Sequence, residues 1–177
     1  VKTMMRKWKT ELIEALKDKL ESITEFNNLA ETDDENLLIK SLFRIYPDQE
    51  CGVMACCTTY DCLPDVPRVE LMIVMDADVE PRCCPELEHA MSEMNFYMPI
   101  GASGIDYNLM KIYLRHVLFL DEAKDCGEQA AEIIRIYEIM MAGVRILYPS
   151  FSQICKGELT YEEAVEQNLL IKQEKMR

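Results

Sequence analysis

Between Glu122 and Leu147 the apolar residues do not fit one face of a helix. Ile133, Ile134, Ile136, Tyr137, Ile139 and Met140 are followed by Met141, Val144, Ile146 and Leu147. A surface helix normally buries one stripe, about 100° wide. The arc here is wider, so the helix needs covering on two sides, and a single sheet face supplies only one. If Ile133, Ile136, Met140 and Leu147 pack on a sheet, Ile139 and Ile146 require a second cover. The first helix or the C-terminal helix of the same chain is one source, and a second copy is the other. A symmetric pair is the commonest closed arrangement. The reading is therefore a homodimer, with Ile139 and Ile146 as the partner or dimer contacts. Pro149 should kink or end the helix, a turn over 151–156 can continue its direction, and Gly157 suits a left-handed cap.

The sheet is legible upstream. From Arg68 to Asp78, Val69, Leu71, Ile73 and Met75 alternate with Glu70, Met72, Val74 and Asp76, the period of a strand. Two further strands are expected before it, at Leu37–Tyr46 and near Val53–Tyr60, separated by the turn residues Pro47-Asp48-Gln49-Glu50. Met5, Trp8, Leu12, Leu16, Leu20 and Ile23 predict an amphipathic helix over 3–26. The polar run Asn27-Asn28, then Glu31 to Glu35, predicts an exposed connection. Pro85 at a first helical position predicts a short helix over 85–95. An extended stretch from Phe96 to Ser103 and a strand over Leu109–Leu120 then form a second hairpin. Thr160 with Glu163 has capping-box spacing and starts a last helix to about Asn168. The expected architecture is two-layer α+β: an antiparallel sheet of about five strands, order α-βββ-α-ββ-α plus a short C-terminal helix.

With 177 residues and 49% hydrophobic content, one domain over 1–177 is expected, with 158–177 as a helical extension. Nineteen basic against 32 acidic groups give a net charge of −13, which repels a polyphosphate backbone, so nucleic acid is not an expected partner. The charge is uneven: residues 1–20 sum to +3, 21–170 to −18 and 171–177 to +2, which together make −13. The basic first helix is balanced by Glu11 and Glu14, and no stretch reaches the roughly 20 apolar residues of a spanning helix. No membrane role is expected, and with no export signal recognised the chain reads as cytoplasmic. Its eight cysteines include the adjacent pairs Cys56-Cys57 and Cys83-Cys84. Neighbours on a strand point to opposite faces and bridge poorly, so reduced thiols are expected.

The element order over residues 1–156 resembles the type III secretion chaperone-like fold, including the bacterial sensory-transduction regulators that share it. The local stretches that carry the resemblance are Met94-Asn95-Phe96-Tyr97-Met98-Pro99-Ile100-Gly101 and Leu118-Phe119-Leu120-Asp121. The resemblance implies a small partner-binding protein that often dimerises, and it assigns no functional residue.

The candidate chemistry is sparse. Cys51, Cys56, Cys57, Cys62, Cys83 and Cys84 contain no Cys-x-x-Cys pair, so zinc is not expected. Asp76, Asp78 and Glu80 fall on one face of an extended chain and could offer oxygens to a hard cation, but the glycine and final glutamate of an EF-hand are missing. A solvated acidic face is the plainer reading. His89 and His116 lie in no nucleophile motif, and Gly101-Ala102-Ser103-Gly104 lacks the spacing of a nucleophile elbow. No catalytic residue, metal or cofactor is assigned. Twelve methionines are mostly core filler, although an exposed methionine patch would adapt to partners. The function expected is a non-catalytic, chaperone-like or regulatory module that binds a protein or peptide. The alternative is an enzyme whose site no motif reveals. The first requires an exposed apolar groove, the second a pocket with converging polar groups.

Overall fold

In the computed structural model the described residues are 2–31, 37–46, 52–63 and 66–172, with side chains described outside 2–6, 26–27, 29–31, 37 and 52–66. The chain is a mixed α+β protein: helix α1 (Lys2–Leu20), strands β1 (Phe26–Glu31), β2 (Leu37–Arg44), β3 (Gly52–Leu63) and β4 (Val66–Asp78), helix α2 (Cys84–Tyr97), strands β5 (Ala102–Asp106) and β6 (Lys111–Phe119), and helices α3 (Cys126–Ile154) and α4 (Tyr161–Glu166). The six strands form one antiparallel sheet in the order β1-β2-β3-β4-β6-β5. Alternation in β4 and β6 sends Val69, Leu71, Ile73, Ile112 and Leu114 into the core, where α3 packs on these two strands, α1 on β2 and α2 on β5. Their neighbours Met72, Val74, Tyr113 and Val117 stay half-exposed on the opposite face.

The sheet has one strand more than expected. Residues expected to form an exposed connection pair with β2 instead, from Phe26 opposite Leu42 to Glu31 opposite Leu37. An edge strand needs only its backbone ladder on one side, so a polar run without apolar alternation can still form it. The entry is set by the end of α1, which stops at Leu20 rather than near residue 26. There the Leu20 carbonyl accepts from both the amide and the hydroxyl of Thr24, at 3.0 and 2.6 Å, and the Lys19 carbonyl from both the amide and the hydroxyl of Ser22, at 3.2 and 2.7 Å, so the end of the helix is capped locally.

Two other boundaries moved. Phe96 and Tyr97 are helical, and the extended segment begins only at Ala102, because Pro99 disfavours a helical residue before it and Met98 is already extended. Pro149 does not end α3, which runs on to Ile154. A proline there withdraws the N–H that Arg145's carbonyl would accept. The Tyr46 hydroxyl takes its place, donating to the Arg145 carbonyl at 2.8 Å, and Arg145 Nε donates to the Ile45 carbonyl at 3.0 Å. The end of β2 is thereby stitched to the proline turn. The capping box formed as read, with Thr160 Oγ1 accepting from Glu163 N and Glu163 Oε2 from Thr160 N.

Candidate functional site: an apolar groove beside the third helix

The wide apolar arc of α3 is covered in part. Ile133, Tyr137, Met140, Val144 and Leu147 are buried, and α1 lies alongside with Leu12, Ile13, Leu16 and Leu20 buried. Ile139 stays 40% exposed and Ile146 69% exposed. Both line a cavity of about 300 Å³, the lower end of the range for ligand pockets. Ala142 and Gly143 make its floor, and small side chains there give it depth.

One wall is the end of α2, from Met94 to Pro99. Gly143 lets this wall approach, since a Cβ at that position would lie 3.1 Å from Met98 Cε. Asn95 fixes the same turn: its Oδ1 accepts from Ser103 N at 2.7 Å and from Ser103 Oγ at 2.8 Å, while its Nδ2 donates to the Ser103 carbonyl at 3.0 Å. The amide thus pairs with the free side of β5 as a neighbouring strand would, and Ser103, which lacked the spacing of a nucleophile elbow, is held in this structural role.

The other wall is Leu169, Leu170 and Ile171. Glu86 on α2 accepts from Tyr161 N at 2.7 Å and anchors the start of α4. Asn168 then adopts a left-handed conformation, φ 57°, which asparagine tolerates, and turns the chain back so that Leu169 and Leu170 donate to the Ala164 carbonyl. The Tyr161 hydroxyl donates to the Ile171 carbonyl at 3.0 Å and closes the loop. His89 lies against the Tyr161 ring, centroids 4.7 Å apart. Outside the cavity the apolar surface continues, with Phe96 63% exposed and set edge-on to Tyr97.

The remaining sequence candidates lie elsewhere. Asp76 and Asp78 both meet Lys111 Nζ at 2.9 Å, which holds the Asp78 carboxyl below its ordinary range, and Glu80 pairs with Arg82. The three carboxylates are exposed, as the solvated reading has it, but they face cations of the chain itself. His116 sits half-buried on β6, and burial lowers its pKa. Cys83, Cys84, Cys126 and Cys155 are free thiols, Cys155 pushed up to about 11 by burial. The side chains of Cys51, Cys56, Cys57 and Cys62 lie outside the described residues. Among the described residues no cluster of His, Cys, Asp or Glu is arranged to hold a metal ion, and no helix is long and apolar enough to cross a membrane.

Sequence reasoning singled out Ile139 and Ile146, which are exposed in the groove, but neither of its walls. Tyr97 and Met98 fell in a stretch read as strand, and Leu169 to Ile171 lie beyond the expected last helix. Compared with known proteins, the chain matches no family model and no curated relative.

Proposed function

We propose that this α+β protein is a non-catalytic binding module, chaperone-like or regulatory, whose groove holds apolar side chains from a cationic segment of another protein. The observation that carries the reading is the exposure of Ile139 and Ile146 in a groove lined almost entirely by hydrocarbon and thioether groups. A small ligand filling about 300 Å³ would leave Phe96, the outer side of Ile146 and Ile171 in water. A polypeptide laid along the groove covers both cavity and rim. Charge favours a basic partner. The chain carries −13, and Glu93 and Glu162 stand near Tyr161 and Lys172 at one end of the groove. A second copy seated in the groove would instead set one acidic rim against another. Apart from the added β1, the element order is the one that resembles the type III secretion chaperone-like fold, which is consistent with partner binding. A cytoplasmic setting belongs to the same reading, in keeping with the free thiols of Cys83, Cys84, Cys126 and Cys155.

The test uses an amphipathic Leu/Lys helix about five turns long, with a Leu/Glu helix of equal length as control, by calorimetry. The Leu/Lys helix should bind and weaken with added salt. Covering the exposed two-thirds of Ile146 contributes about 1–2 kcal/mol, so Ile146→Ser should weaken binding about 5- to 30-fold, and Ile139→Ser somewhat less. Equal binding by both variants, or preference for the Leu/Glu helix, would refute the proposal. So would self-association that disappears in Ile146→Ser, which would give the groove to a second copy.

A further inference from the structure

The outer face of the sheet is a second surface, remote in character from the groove. Among the described residues no helix lies on it. Strand register sets Leu42, Val74, Tyr113 and Gly104 in one row across the sheet, through position 54 of β3. Met72 stands in the next row opposite Arg115, and Val117 in the one after, opposite Glu70. Leu42 is 40% exposed and Phe119, at the far end of β6, 68% exposed. The surface is smooth where β5 meets β6: a Cβ on Gly104 would lie 2.5 Å from Tyr113 Oη, so the tyrosine ring rests flat across the glycine.

The charges on this face are matched within it. Arg115 makes two bonds to Glu70, Nε to Oε1 at 2.8 Å and an Nη to Oε2 at 3.0 Å, and Lys111 bridges Asp76 and Asp78. Arg44 pairs with Glu25 at 2.9 Å. Counting the described strand side chains of the face, the cations are Lys40, Arg44, Arg68, Lys111 and Arg115. The carboxylates are Glu70, Asp76, Asp78 and Asp106. A chain of net charge −13 therefore has a sheet face that is close to neutral. Two copies can meet there without setting like charge against like.

The dimensions suit such a contact. Strands spaced about 4.8 Å apart make six strands roughly 24 Å wide, and about eight residues of shared ladder at about 3.3 Å make a similar length. The footprint is roughly 600 Å² before corrugation, near the ~800 Å² per partner of a stable interface. The row of Leu42, Val74 and Tyr113 offers apolar contact, and the paired Arg115–Glu70 and Lys111–Asp76 beside it leave no described charge of that row unmatched. Joining at the β5 edge is hindered, because Asn95 already occupies the backbone of Ser103. Packing face to face is open.

We infer that two copies of the chain pair through this outer sheet face, sheet on sheet about a twofold axis, leaving both grooves free. Sedimentation equilibrium of the full chain at micromolar concentration should give twice the 20.5 kDa chain mass. Leu42→Glu and Phe119→Glu alter exposed positions, and each should raise the dissociation constant at least tenfold, the double variant sedimenting as a folded monomer by circular dichroism. Ile146→Glu should leave the dimer intact, which separates this inference from the groove reading. A monomeric wild-type chain, a dimer that survives the double variant, or one lost in Ile146→Glu would each overturn it. If the double variant fails to fold, acylation of the wild-type lysines decides: Lys40 should react at least threefold more slowly in the dimer than on dilution, with Lys124 unchanged. Equal rates at Lys40 would overturn the inference.

Discussion

Tyr46 and Pro149 offer a sharp test of how α3 passes its proline. In an uninterrupted helix the Arg145 carbonyl would accept from the N–H of residue 149, and proline has none. The Tyr46 hydroxyl, 2.8 Å away, is the donor the chain supplies. Tyr46→Phe removes that hydroxyl and little else, because the ring is half-buried against the core and phenylalanine keeps it. An intramolecular hydrogen bond contributes about 0.5–1.5 kcal/mol net. Water has some access at this site, so about 1 kcal/mol is expected, a fall of roughly 2–4 °C in Tm for a chain of this size. Pro149→Ala restores the helix N–H but also releases unfolded-state entropy worth about 0.4–1 kcal/mol, so alone it should be near neutral. The decisive quantity is the coupling. In the Pro149→Ala background Tyr46→Phe should cost less than about 0.3 kcal/mol, because the carbonyl then has a donor in its own helix. Urea titration of the four proteins, with m unchanged, measures it. A Tyr46→Phe cost that is the same in both backgrounds would show that the hydroxyl does not stand in for the proline.

Two other expectations follow from the polar contacts. Asn95→Ala leaves the backbone N–H, carbonyl and hydroxyl of buried Ser103 without their partner; a loss of about 2 kcal/mol is expected by denaturant titration, and less than about 0.5 kcal/mol would refute the account of Asn95 as the closure of the β5 edge. The Lys111 cluster should shape both ends of the pH profile. Asp78 is lowered by its hydrogen bond to Lys111, so its stabilisation is full above the unfolded carboxylate pKa and fades as pH falls through the folded value. Lys111 is raised by its hydrogen bond to Asp78, so its share is full below the unfolded lysine pKa and fades as pH rises through the folded value. Lys111→Gln should flatten the urea midpoint against pH on both limbs, and unchanged limbs would count against the pairing.

How much of this was legible in the sequence depended on whether the signal was local. The alternation of Val69, Leu71, Ile73 and Met75 needs no partner to be read, and neither does the spacing of Thr160 and Glu163. Strand β1 was missed because an edge strand is specified by the hydrogen-bonding groups of its neighbour, which the Asn27-Asn28 pair does not reveal. The passage of α3 through Pro149 was missed because the compensating donor lies 99 residues from Arg145 along the chain. The helical state of Phe96 and Tyr97 was missed because both are strand formers by propensity, and their helix is held by Asn95 from across a turn.

The groove shows the same division at the level of function. That α3 carries more apolar surface than one sheet face can cover followed from counting, and Ile139 and Ile146 followed with it. What counting cannot give is whether the surplus ends in a packed seam or an open channel. Close-packed interiors tolerate few voids, and a space of about 300 Å³ lined by flexible methionines and leucines would collapse if its walls could move. Here each wall is tethered by polar contacts outside the groove. Asn95 pins the end of α2 to Ser103, Glu86 anchors the start of α4, and the Tyr161 hydroxyl holds Ile171 by its carbonyl. None of these bonds depends on what the groove contains, so the walls stand apart when it is empty. Preformed walls reduce the ordering cost of binding, which suits the groove to the receptor role proposed for it.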